Sequence, residues 1–208
     1  MVIFLLVLIG GISYYAFSKP EVKAKFMFNA NRVYYGKEYY RLLTSGFIHG
    51  DWFHLGFNLY ALHLFSKTLI QSFTQVGLVN PELHFLILFV LGVVVSEIPS
   101  LLKHKDNPYY NSLGASGGVS SVVFGSILLN PVGMKLGLVF LPIYLPAFLF
   151  GILYLLYSNY QSKKGTDNIG HDAHIFGSLF GLIYVAAIYP NSLIDIMEQL
   201  KNWDGNIF

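Results

Sequence analysis

The sequence predicts an all-α, polytopic membrane protein: a single domain over 1–208, with six transmembrane helices and a long interfacial first loop. Composition and the distribution of apolar residues carry that expectation. Of 208 residues, 54% are hydrophobic and only 12% charged, against roughly 25% charged for an ordinary soluble domain. The mean hydropathy is +0.54. The apolar residues also come in long blocks rather than amphipathic periods, and several blocks approach the ~18 residues that cross a hydrocarbon core.

The blocks lie at about 2–17, 53–70, 83–102, 114–129, 137–157 and 173–189. The first lacks the leading basic stretch and the small-residue cleavage site of a signal peptide, so it reads as a span. Residues 18–52 form the first loop, rich in aromatics such as Phe28, Tyr35, Tyr40 and Trp52. Aromatic rings favour the headgroup level, so this loop is expected to pack at the interface. The second block opens with His54 and Asn58. Pro99 is expected to end the third, with Asn107-Pro108 turning the loop that follows. The fourth block begins at Gly114-Ala115-Ser116-Gly117, and Pro131-Val132-Gly133 separates it from the fifth. The sixth opens at Ala173-His174.

Some functions are excluded at once. There are no cysteines, hence no disulfides or thiolate metal sites. Net charge is +2 without a long basic tract, so nucleic acid is not an expected partner.

Parity joins the polar residues. The second, fourth and sixth spans all enter the membrane from one side, since one crossing intervenes between each pair. His54, Asn58, Ser116 and His174 therefore sit at similar depth near one face. His54 and Asn58, four apart, share a helical side. Polar groups at bilayer depth are costly and usually mark function.

Ser116 and His174 have the chemistry of a nucleophile and its base. Gly114, Gly117 and Gly118 let another backbone approach Ser116 closely, and a helix start offers free N–H groups to a developing oxyanion. The blander reading makes Gly114 and Gly118, like Gly177 and Gly181, small-residue packing pairs. The two readings agree, because such packing would bring the fourth and sixth spans together. Asp172 is two residues from His174 and does not share its face, so a Ser–His dyad is expected, with His171 and Asp172 as the polar entrance to the sixth span. A metal on His171, His174 and His54 lacks a carboxylate to complete its shell. Glu97 and Lys67 lie near span ends, where charges snorkel or pair.

With these residues in view, the chain resembles the rhomboid intramembrane serine proteases. The matching elements are Gly114-Ala115-Ser116-Gly117, Ala173-His174-x-x-Gly177-x-x-x-Gly181 and His54-x-x-x-Asn58, with His49 as the histidine rhomboids often carry before the second span. The resemblance covers nearly the whole chain. It implies a rhomboid-like bundle with Ser116 as nucleophile, His174 as general base, and His54, Asn58 and Gly114 stabilising the oxyanion or substrate. It further implies a mobile cap over about 159–170 and no cofactor or metal. The implied partners are transmembrane protein substrates, cut within or beside their helix, and the lipid bilayer; the implied location is a multi-pass place in a bacterial inner membrane. The oligomeric state is not set by it.

There are departures from the family pattern. Tyr40-Arg41 stands where many relatives have Trp-Arg, and Lys67 and Gln71 where relatives often have Gly and Glu. Ten Lys and Arg residues fall on the site side, from Lys19 to Lys164, whereas the other side has chiefly Lys67, Lys135 and Lys201. The positive-inside rule would turn the site toward the cytoplasm, while the family's bacterial members open outward; the family topology is the expectation adopted. Two other functions compete with proteolysis. One is a catalytically silent rhomboid relative that binds membrane proteins. The other is a small transporter, which should show inverted repeats and a midplane site.

Overall fold

The structure, a computed structural model, describes residues 1–137, 144–164 and 170–205. In chain order its elements are α1 (Val2–Phe17), α2 (Pro20–Phe26), β1 (Phe28–Asn29), α3 (Ala30–Tyr34), α4 (Arg41–Thr44) with a 3-10 turn at Ser45–Phe47, and α5 (Trp52–Gln75). Then come α6 (Pro81–Ser96), α7 (Ile98–His104), β2 (Asn111–Ser112), α8 (Ser116–Leu129), β3 (Lys135–Gly137), β4 (Tyr144–Pro146), α9 (Ala147–Lys164), α10 (His171–Ile188) and α11 (Ser192–Lys201).

Local chemistry sets the helix starts. The Asp51 side chain accepts a hydrogen bond from the His54 N–H at 2.8 Å and caps α5. Left-handed Asn80 followed by Pro81 begins α6. Pro99 does not end the third block. It sits in the first turn of α7, where its missing N–H breaks no helical bond, so helix continues to His104 after a junction at Glu97.

The fifth block also differs from expectation. Its helix starts only at Ala147, because Lys135–Gly137 pairs antiparallel with Tyr144–Pro146. A short apolar run reads alike as strand or buried helix, so its composition could not separate the two. The remainder of that predicted segment, 138–143, lies outside the described residues.

Among the described residues, two stretches are by length and composition apolar and long enough to cross a membrane, Pro81–His104 and His171–Ile188. The apolar helices α1 and α8 are shorter, at 16 and 14 residues. The outward faces are apolar as well, with Ile3 72%, Phe53 75% and Ile183 66% exposed. So large an exposed apolar surface suits a bilayer rather than water.

Helix α8 forms the centre. Every residue of it except Ser116 and Val123 is buried, as expected of a helix apolar all round. It lies between α6 and α10. Gly92 and Ser96 of α6 meet Ser121 and Gly117, an antiparallel register, and Gly177 and Gly181 of α10 meet Gly117 and Ser121, a parallel one. Around this sandwich Leu62, Leu69 and Phe73 of α5 pack with Phe85, Leu88, Phe89, Val122 and Val185.

The first loop is folded. Arg41 is 1% exposed and donates to the carbonyls of Ala24 (2.9 Å) and Met27 (2.8 Å), and its Nε donates to Glu38. Thr44 Oγ1 donates to the Phe26 carbonyl at 2.9 Å. β1 pairs with β2, Phe28 opposite Ser112 and Asn29 opposite Asn111. A small second core of Phe28, Ala30 and Val33 packs on Leu42, Leu101 and Tyr110. The loop is thereby fastened to the segment that leads into Ser116.

Candidate active site

Ser116 is the first residue of α8, and His174 lies in the first turn of α10. The two helices run parallel in very close contact. A Cβ built on Gly177 would lie 2.2 Å from the Gly117 carbonyl oxygen, and one on Gly181 2.2 Å from that of Ser121. This register sets the beginning of α8 beside the beginning of α10. Both Ser116 and His174 are half-buried.

Gly114 plays a different part from the helix-packing partner that its spacing to Gly118 suggests. It precedes the helix with φ +118°, a conformation open chiefly to glycine. Its amide donates to the Ser45 carbonyl at 2.9 Å, and a Cβ there would meet the His54 ring at 2.6 Å. The imidazole of His54 thus lies directly on the Gly114 backbone. His54 Nδ1 accepts from the Gly50 N–H at 3.5 Å, which leaves the ring proton on Nε2, the nitrogen facing Gly114.

Asn58 is buried, and its Nδ2 donates to the His54 carbonyl at 2.9 Å. Its amide therefore carries one committed hydrogen and one more to give. The structure brings His54 to the turn before Ser116, and it sets Asn58 one helical turn deeper on α5.

His49 holds that turn from behind. Its Nε2 accepts from the Ala115 N–H at 3.2 Å, so its proton resides on Nδ1 and faces Ser13 Oγ at 2.9 Å; Ser13 Oγ donates in turn to the Phe47 carbonyl at 3.0 Å. Burial, aided by the nearby His54 ring, pushes the His49 pKa down to about 3. The ring is neutral, as this hydrogen-bond chain requires.

Tyr154 of α9 was not anticipated. Its ring stacks on that of His174, centroids 5.9 Å apart and planes 21° apart, and its hydroxyl lies 3.1 Å from Ser120 Oγ. Ser120 is one turn beyond Ser116, so Tyr154 bridges α8 and α10. One tyrosine among several in α9 gives no sequence signal for such a role.

Several other charged and histidine residues have partners of their own. Asp172 pairs with Lys103 at 3.0 Å and accepts from Ser162, tying α10 to α7 and α9. Glu97 does not snorkel, and among the described residues it pairs with no cation. It is 5% exposed, and its Oε1 accepts from Ser112 Oγ at 2.7 Å. His84 bonds the Tyr184 hydroxyl at 3.0 Å, His104 stacks on Tyr110 at 3.8 Å, and His171 packs edge-on against Tyr157. Of the expected cap, 159–164 are the last turns of α9, and 165–169 lie outside the described residues.

A family model described as the Rhomboid domain matches residues 36–191. Among curated proteins, the presenilin-associated rhomboid-like protein, mitochondrial, of Homo sapiens is 28% identical over 154 residues, 74% of this chain and 38% of that protein. Its Mus musculus counterpart is 27% identical over the same shares. RHOMBOID-like protein 12, mitochondrial, of Arabidopsis thaliana is 25% identical over 187 residues, 83% of this chain and 53% of that protein. The chain thus spans between about two fifths and just over half of these relatives' length. Their mitochondrial names do not fit the bacterial membrane expected from the sequence; residence in a membrane is what the family supports.

Proposed function

The chain belongs to the rhomboid family, and from that premise we propose that it is an intramembrane serine protease acting on other transmembrane proteins. The observation that carries this reading is the parallel seating of α10 on α8 through Gly117–Gly177 and Ser121–Gly181, which sets Ser116 and His174 at one end of two touching helices.

In the proposed reaction a ring nitrogen of His174 takes the Ser116 hydroxyl proton as Oγ attacks the scissile carbonyl. The oxyanion accepts from the Ser116 backbone N–H, free at the helix start, and from His54 Nε2–H; the second amide hydrogen of Asn58 supports the same pocket. His174 then gives the proton to the leaving amine, the C–N bond breaks, and an acyl-enzyme remains. Water, deprotonated by His174, releases the acyl product and restores Ser116. Tyr154 holds the imidazole plane, and His49 holds the turn that presents Ser116.

Six crossings are proposed, by α1, α5, α6 with α7, α8, α9 and α10. At 14 residues, α8 is about 21 Å long, shorter than the ~30 Å hydrocarbon core. Its first residue can therefore lie below the membrane surface and still be reached by water from one side. A substrate helix must unwind locally there, since its peptide bonds are protected by their own hydrogen bonds.

The test is labelling of the purified protein by a fluorophosphonate probe, with Ser116→Ala and His174→Ala as variants. Labelling of the wild type alone is expected. Absence of labelling in a folded, monodisperse wild type would sink the proposal and leave a silent family member.

A further inference from the structure

A cleft of about 420 Å³ lies between α1 and α2, away from the candidate active site. Its walls are Gly11, Ile12 and Tyr15 from α1 and Val22, Lys25 and Phe26 from α2. After α1 ends at Phe17, Pro20 starts α2 and turns the chain back, so that Lys25 lines the same cleft as Gly11, which lies less than two turns before the end of α1. The floor is bare because of Gly11, where an added Cβ would meet nothing within 4 Å. Adjacent Gly10 instead faces Leu59 of α5, at 3.7 Å. Tyr15 is 57% exposed beside the cleft, and Leu8, Val7 and Phe4 continue the same apolar outer surface along α1.

The charge at the rim is one-sided. Lys19, Lys23 and Lys25 surround a single carboxylate, Glu21. Lys23 is committed, donating to the Gly50 carbonyl at 3.3 Å. Among the described residues Lys25 makes no hydrogen bond or ion pair, yet it lines an otherwise apolar cleft. An unpaired ammonium at the top of an apolar slot that opens sideways toward lipid matches one ligand class: an anionic head on an acyl tail.

We propose that this cleft binds an anionic phospholipid drawn from the surrounding bilayer, one acyl chain lying over Gly11 and Ile12 and the phosphate held at Lys25. The Tyr15 hydroxyl supplies a second donor at headgroup level. The bound lipid would brace α2, whose Ala24 carbonyl, like that of Met27 just beyond it, accepts from the buried Arg41. It would so stiffen the first loop as a whole. Lipid occupancy does not require proteolysis, and its test is independent of it.

The experiment is native mass spectrometry of the full chain in mild detergent, titrated with dioleoyl phosphatidylglycerol, dioleoyl phosphatidylcholine or inorganic phosphate. Wild type is expected to retain phosphatidylglycerol in preference to phosphatidylcholine. Lys25→Gln should weaken that retention about fivefold, the worth of one cation near an anionic headgroup, and Lys25→Arg should restore it. Gly11→Leu, whose Cβ would meet nothing within 4 Å and whose side chain would occupy the slot, should abolish retention while circular dichroism and monodispersity stay unchanged. Lys201→Gln, on α11, should have no effect. Equal retention of both lipids, retention of phosphatidylglycerol undiminished in Lys25→Gln and Gly11→Leu, or full competition by inorganic phosphate would each overturn the proposal.

Discussion

Tyr154 and His49 show how single side chains far apart in sequence set the geometry around Ser116. Tyr154 offers two separable contributions, its stacking on His174 and its hydroxyl near Ser120. Tyr154→Phe keeps the stacking and should retain most activity. Tyr154→Ala should lower kcat/KM by roughly threefold to tenfold, as expected for loss of an aromatic pair, with labelling by the fluorophosphonate probe slowed in parallel. His49 makes a prediction about pH. Its pKa is about 3 in the folded protein against an ordinary 6.5, so below pH 6.5 the unfolded chain binds a proton that the native one refuses. The stability it contributes is complete above about 6.5 and is lost as pH falls toward 3, with a slope of up to ~1.4 kcal/mol per pH unit. Thermal unfolding in detergent between pH 7 and 4 should show that slope, and His49→Gln should flatten it. The sequence marked His49 only through resemblance, and Tyr154 not at all. The first partner of His49 is 36 residues away and its second 66, separations that carry no local pattern.

Among the elements, the contact of α8 with α10 is the most exacting. Gly177→Ala and Gly181→Ala each drive a Cβ against backbone, which cannot swing aside as a flexible side chain would. Each should destabilise by about 1–3 kcal/mol or more, the scale of overpacking, and each should lose activity through displaced helices. Gly56→Ala on α5, where a Cβ meets nothing within 4 Å, is the control, expected to be neutral or to gain up to ~1 kcal/mol from helix propensity. The spacing of Gly177 and Gly181 made this packing legible in advance. The role of Gly114 was not legible, since a glycine needed for positive φ and one needed for close packing look identical in sequence. The start of α9 was hidden for a related reason: β3 and β4 consume apolar residues in a ladder, and apolar runs of that length do not declare their period. Helix α11, whose Leu193, Ile194 and Met197 stay exposed beside Asp195 and Glu198, is too mixed to register as an apolar block. Arg41 links elements rather than residues. Arg41→Lys removes the planar fork that serves two carbonyls and Glu38 at once, and should loosen the first loop enough to speed its proteolysis by an added soluble protease.

For the molecule as a whole, the proposed six crossings can be tested directly because the chain has no cysteine of its own. Single cysteines at Val79, Gly133 and Lys201 should react with a membrane-impermeant maleimide from one side of sealed vesicles, and those at Tyr109 and Lys163 from the other. A set that reacts from one side only would dismiss the topology. The same experiment settles which way the site faces, where the count of cations and the family topology pull apart. That count is itself softened by the fold: Arg41 is buried, Lys23 is bonded to Gly50 and Lys103 to Asp172, so these three act partly as internal fasteners. Local composition and spacing suffice for an apolar, helical membrane chain, its family, and the candidate serine and histidine at the openings of two glycine-bearing helices. They do not reveal that α10 lies parallel on α8, that His54 covers Gly114, that Tyr154 reaches across to His174, or that the first loop is bolted to the strand leading into Ser116. Hydrophobic blocks determine which segments leave water, but they are indifferent to which face meets which neighbour. That choice is made by close packing and paired hydrogen bonds between residues distant in the chain, and it exists only once the helices have assembled.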